Sequence, residues 1–342
     1  MMATRAGTWQ REQPASWRGI LVFSLLALVL AWCVAAPLWY FTAGVPVFGD
    51  RSGLVDPAAL QSLGESQAFL TAVAVLPSAM MFTPLLAAWI TLRWVEGVRF
   101  REMLRVLGVV AAPGVEPAQS RSRALLRLLG SCALGILGTC VLVAASVGVA
   151  VACGWLHVDT TFPAIGPAAA QAGLPVGALV AAQLAMIPFA AVLPNGLLAA
   201  GEELGWRGYL LPALVSRTGV PLALLLSGVV WGVWHAPLIL LGYNFARPDM
   251  TGVLLMIAGC IGVGAWFSWL RLRCRTVWPA VVAHGALNGA AGIYLLIGGA
   301  TPADGALAGP LGAAGWIVCG AGILVWTIVA VLRGRGSAKP TA

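Results

Sequence analysis

Eight stretches of roughly twenty predominantly apolar residues punctuate this chain of 342, and that repeat constrains its fold more than any other feature. A helix rises 1.5 Å per residue, so about twenty residues cross the 30 Å hydrocarbon core of a bilayer. The stretches fall near 19–41, 68–92, 127–152, 176–201, 220–242, 251–270, 277–298 and 311–332. Mean hydropathy of +0.91, with 60% apolar and only 9% charged residues, supports an all-α polytopic membrane protein of about eight transmembrane helices.

Arginine placement sets the expected orientation. With the N-terminus inside, eighteen of the twenty basic residues fall on inner segments, leaving Arg51 and Arg247 outside. Asp50, Asp56, Glu65, Asp159, Asp249 and Asp304 occupy the outer loops. The positive-inside rule then predicts both termini in the cytoplasm of a plasma-membrane protein. The net charge of +8 follows from this bias, and its partner is membrane lipid; no basic groove interleaved with aromatics suggests nucleic acid. One lysine against nineteen arginines, with abundant alanine and glycine, suggests a high-GC bacterial gene.

Residues 1–36 resemble a signal peptide, but the apolar run is long and continues into Pro37-Leu-Trp-Tyr-Phe41, so a retained first span is expected. The seven cysteines form no C-x-x-C pair, which predicts neither a disulfide framework nor a cysteine zinc site, and they read as small buried apolar side chains. The outer loop 42–67 is compatible with an ordered cap or a mobile loop. The segment from Arg93 to Arg105 mixes Trp94, Val98, Met103 and Leu104 with arginines, as an interfacial helix or a solvated basic linker would. The expected organisation is N-terminal helices over 1–175, a core over 176–298, and a last span with a basic tail over 299–342.

Within the core the apolar pattern is broken by polar groups. A charged side chain at bilayer depth costs on the order of 2.5–3.5 kcal/mol on insertion scales, so Glu202, Glu203 and Arg207 are functional candidates by default. Pro188 and Pro194 interrupt the fourth span, and helical pattern resumes from Asn195 to Leu211, which puts both glutamates on a helix. Adjacent helical residues diverge by 100°, so the two acids point apart. Glu203 and Arg207 are i,i+4 and should pair, leaving Glu202 to face a cavity as a general base. His284 and Asn288 are likewise i,i+4, on a helix opened by Pro279, and His235 comes from another span. Together they offer a base, a second imidazole and neutral donors for an oxyanion. His157 stands apart in an outer loop and reads as surface.

Glycine pairs Gly201/Gly205, Gly228/Gly232 and Gly285/Gly289 flank the three polar motifs, each weak alone as a sign of close helix approach. Counting 1.5 Å per residue puts His284 about 11 Å from the inner end of its span, and Glu202 at a similar level if its helix ends at Leu211. The same count puts His235 about 22 Å deep.

Glu202-Glu203-x-x-x-Arg207, Trp231-x-x-x-His235 and His284-x-x-x-Asn288 jointly resemble the motifs of the CAAX-protease and bacteriocin-processing (CPBP, or Abi) family of intramembrane endopeptidases. The resemblance covers about residues 180–295. It implies peptide-bond hydrolysis in the membrane on a peptide or lipid-anchored protein. Glu202 would activate water with His235, and His284 and Asn288 would polarise the carbonyl. Trp231 stands where the family usually has phenylalanine, a change expected to alter packing more than chemistry. The resemblance leaves the metal open: no H-E-x-x-H occurs, and Glu202, His235 and His284 suit either zinc or metal-free action. A non-catalytic immunity or scaffold protein of this fold is the main alternative. A proton-coupled transporter is the next, against which no repeat relates the two halves.

Overall fold

The structure, a computed structural model, describes residues 16–49, 55–63, 66–110, 121–299 and 303–335. Among these it is all-helical, with isolated bridges in place of strands. In chain order the helices are α1 (Trp17–Thr42), α2 (Pro57–Leu63), α3 (Gln67–Met80), α4 (Thr83–Ile90), α5 (Phe100–Val106), α6 (Arg121–Ala152), α7 (Gly166–Ala172) and α8 (Val176–Val192). They continue as α9 (Asn195–Glu203), α10 (Leu211–Thr218), α11 (Val220–Trp234), α12 (Ala236–Ile239), α13 (Met250–Cys274), α14 (Trp278–Ala290), α15 (Ile293–Ile297), α16 (Gly305–Ala308) and α17 (Ala313–Arg335). Two π-helical turns, Thr91–Val95 and Leu204–Leu210, follow α4 and join α9 to α10.

Five helices among the described residues are long and apolar enough to cross a bilayer, and two bent pairs raise this to seven. Those pairs are Gln67–Met80 with Thr83–Val95, bent by 42°, and Gly166–Ala172 with Val176–Val192, bent by 101°. The expected eight continuous spans thus give way to several broken ones. Pro188 is accommodated inside α8, whereas the chain breaks at Leu193-Pro194 and restarts as α9. The expected fifth span stops early. α11 has 15 residues, about 22 Å of helix, and His235 is its C-terminal cap. Pro237 explains the stop, because it has no N–H to offer the Val233 carbonyl four residues back.

Helix α14 packs against α6, α8 and α9, α11 packs against α13, and α1 against α3 and α4. α1 therefore joins the core, burying Phe23, Ala27 and Ala31. The glycine pairs, weak as sequence signals, mark the tight crossings. A Cβ at Gly228 would lie 2.7 Å from Ile261 Cα, and one at Gly232 2.8 Å from the Ile257 nitrogen, so α11 and α13 touch backbone to backbone. Gly201 and Gly205 meet the α3–α4 junction, and Gly285 meets Ala191.

Part of the outer loop is an ordered cap. Val47 and Phe48 are buried and both donate their N–H to Leu241 O, while Phe48 lies edge-on to Tyr243. Residues 50–54 and 64–65 of that loop fall outside the described residues. The segment after α4 holds a seven-residue helix, α5, with Val98 and Met103 buried and Trp94, Phe100 and Leu104 exposed. Asp249 caps α13, accepting from the N–H groups of Gly252 and Thr251, which holds its carboxyl below the usual range. His157 is exposed, as expected. The cysteines differ from expectation: all seven are free, but only Cys260 and Cys319 are buried, and Cys33 and Cys153 are exposed. Arg207 and Arg271, counted above as inner-loop charges, are buried among the helices at 3% and 2% exposure and carry no topological signal.

The α11–α13 crossing yields a direct test. Gly232→Leu should destabilise the protein by roughly 1–3 kcal/mol through overpacking against α13. Gly320→Leu, at a position with nothing within 4 Å, should leave it unchanged. Thermal unfolding of the detergent-solubilised protein reads the difference.

Candidate active site

Glu203 is the centre of a buried polar cluster. Its Oε1 accepts from Arg207 Nη1 at 2.9 Å and lies 2.9 Å from His284 Nδ1, with the carboxylate 0% and Arg207 3% exposed. The i,i+4 pairing expected from sequence is therefore present, and it recruits a histidine from α14 as well. A carboxylate beside Nδ1 fixes the proton there and turns Nε2 outward, as in carboxylate–histidine pairs generally. Aromatic rings enclose the cluster. The Arg207 guanidinium lies 4.3 Å from the Trp231 ring centroid and 5.3 Å from that of Phe267. His284 stacks on Phe267 at 5.4 Å and meets Trp231 edge-on at 5.5 Å.

Glu202, the adjacent residue, points elsewhere, as helical geometry requires. It is not the free carboxylate expected. At 2% exposure, its Oε2 accepts from Trp231 Nε1 at 2.6 Å and from Trp206 Nε1 at 3.2 Å. Its Oε1 accepts no hydrogen bond among the described residues. One expectation changes here. Trp231 donates a hydrogen bond to Glu202 and does more than pack, whereas phenylalanine at this position would have no N–H to donate. Trp206 is a second donor to Glu202 that the motifs did not single out. Its signal was available, since it lies four residues after Glu202 on the same helix.

His235 lies one turn beyond Trp231, with ring centroids 5.9 Å apart. Its Nδ1 is 2.9 Å from the Trp231 carbonyl, which assigns the proton to Nδ1 and leaves Nε2 as an acceptor. The expected depth mismatch disappears. The helix carrying Glu202 runs on through the π turn to Thr218 and does not end at Leu211. Gly219 then reverses the chain, with Glu202 seventeen residues before it and His235 sixteen after, both about 25 Å from the turn.

Asn288 departs from expectation. It is on α14 one turn from His284 but exposed, and it makes no hydrogen bond among the described residues. Its neighbour Gly289 lines a cleft of about 380 Å3 between α8 and α14, with Gln183, Met186 and Ile187.

Zinc does not fit this arrangement. Among the described residues no three His, Cys, Asp or Glu side chains form a ligand set, the expected Glu202, His235 and His284 included. One Glu202 oxygen is already occupied by two N–H donors. The buried carboxylate oxygen without a hydrogen bond is instead Glu203 Oε2, beside a guanidinium that would repel a cation. No step below runs through a metal.

Because Glu203 and Arg207 are desolvated together, removing one should be worse than removing both. Arg207→Met should destabilise the protein by about 3–5 kcal/mol by leaving a buried carboxylate without its cation. The double variant Arg207→Met/Glu203→Leu should recover much of the loss in thermal unfolding.

Comparison with known proteins bears on this cluster. Residues 182–290, which contain all three polar motifs, match the family model described as type II CAAX prenyl endopeptidase Rce1-like. CAAX prenyl protease 2 of Methanococcus maripaludis is 34% identical over 97 residues, covering 27% of this chain and 36% of that protein. The chain thus aligns with about a third of that relative's length. Over residues 182–290, with Glu202, Glu203, Arg207, His235 and His284 inside them, this chain is thus similar to the CAAX protease (CPBP) family.

Proposed function

We propose that this protein is an intramembrane endopeptidase in which Glu202 activates the hydrolytic water. The observation that carries this reading is the division of labour between adjacent acids. Glu203 is consumed in holding Arg207 and His284, whereas Glu202 keeps one oxygen without a hydrogen bond in an aromatic pocket. Two indole N–H groups fix the other oxygen and so the direction of the free one.

In the proposed reaction water attacks the scissile carbonyl carbon while Glu202 Oε1 takes its proton. His235 Nε2 orients that water. His284 in its doubly protonated form keeps Nδ1–H on Glu203 and donates Nε2–H to the carbonyl oxygen, stabilising the charge of the tetrahedral intermediate. The C–N bond then breaks and Glu202 returns its proton to the leaving amine, so the carboxylate is regenerated. Asn288, exposed one turn after His284 on α14, is assigned to contact with the peptide chain. The arginine bias of the sequence supports a site that opens towards the cytoplasmic leaflet.

The substrate is a membrane-embedded peptide or lipid-anchored protein. The relative's name makes a prenylated CAAX-type peptide the first probe, with the same peptide lacking the lipid as control. Glu202→Gln should lower kcat by about 100- to 10,000-fold, the range for removal of a general base, with the folded state retained. Product analysis by mass spectrometry checks it. Full cleavage by Glu202→Gln would overturn the assignment of Glu202 as the base.

A further inference from the structure

The π-helical turn Leu204–Leu210 creates a defect in the backbone directly beneath the site. In a regular α-helix the Arg207 carbonyl would accept from the Leu211 N–H. Here the Leu211 N–H is given to Trp206 O, one residue earlier. The next donor in the same register would be residue 212, and Pro212 has no N–H. Arg207 O is left with no main-chain donor in its own helix. A buried carbonyl in that condition is costly and rare.

Arg271, from α13, fills the gap. Its Nε donates to Arg207 O at 3.0 Å, and the residue is 2% exposed. The guanidinium is itself confined from the other side. A Cβ at Gly108 would come within 2.7 Å of Nη2, at a backbone φ of +73° that suits glycine. Gly108 O in turn accepts from Val277 N–H and the Thr276 hydroxyl, at 3.0 and 2.9 Å, which ties the strand of chain after α5 to the α13–α14 turn.

We propose that Arg271 is a positioning residue for the active site, holding the π turn through the Arg207 carbonyl so that the Arg207 guanidinium meets Glu203. Without its donor, the turn can satisfy the orphan carbonyl only by tightening to α geometry, which moves the Leu211 N–H from Trp206 O to Arg207 O. That change of register rotates Arg207 and Trp206 relative to the two glutamates. Glu203 then loses the partner that orients it towards His284, and Glu202 loses one of its two indoles. This inference rests on the endopeptidase reading for its kinetic test but not for its spectroscopic one.

The test uses the full chain in detergent and three variants. Arg271→Met removes the donors and keeps an apolar stem. Pro212→Ala supplies the missing N–H in the π register and should replace Arg271. On the prenylated CAAX-type peptide, Arg271→Met should lower kcat on the order of tenfold or more with KM little changed. In histidine-selective 15N NMR, it should shift the Nδ1 resonance of His284, assigned by comparison with His284→Gln. Arg271→Met/Pro212→Ala should restore both. Wild-type kcat and an unmoved His284 resonance in Arg271→Met would overturn the proposal, as would a double variant no better than the single one. If Arg271→Met does not fold alone, recovery of folded protein in the double variant supports the assignment, and failure to recover overturns it. A wild-type protein that cleaves nothing sinks the endopeptidase reading, while the His284 resonance still decides on Arg271.

Discussion

One carboxylate oxygen, Glu203 Oε1, receives both the Arg207 guanidinium and His284 Nδ1 in a site closed to solvent. In such surroundings an unpaired charge is worth several kcal/mol against folding, so each partner is held as firmly as the helices that carry it. Those helices are the α9–α10 rod and α14, and the rings of Trp231 and Phe267 bring α11 and α13 into the same contact. Four helices are thereby fixed relative to one another by a single polar centre. Apolar contact between helices in a bilayer gives little directional preference, because lipid is as apolar as the side chains it replaces.

Glu202 depends on that centre without touching it. Its direction is set by the 100° step from Glu203, and its environment by two indoles, one from its own helix and one from α11. The indole of Trp231 comes from the stretch of α11 in which Gly228 and Gly232 let that helix lie close on α13. His235 owes its position to the end of α11. Pro237 stops the helix there, and the hairpin about Gly219 brings His235 to the depth of Glu202.

Much of this was legible in the linear chain. Long apolar runs dictate helices in a membrane, Pro194 announces the restart before the glutamates, and i,i+4 spacing pairs Glu203 with Arg207. Pro279 takes its place in the first turn of α14 as its ring requires. The errors have a common origin. Ending the glutamate helix at Leu211 overlooked that a π turn can absorb Pro212 without ending the rod. Extending the fifth span to residue 242 gave too little weight to Pro237.

By itself the sequence determined the class of solvent, the helical state of each motif, and every contact confined to one or two turns of one helix. These follow from periodicity and from the fixed geometry of a turn. The tertiary structure alone decided what crosses between helices: that Glu203 takes His284 and that Trp231 is a donor to Glu202. Inter-helix distances of a few ångströms, set here by glycines and by the rotation of each helix about its axis, govern those pairings, and spacing along one chain carries no record of that rotation.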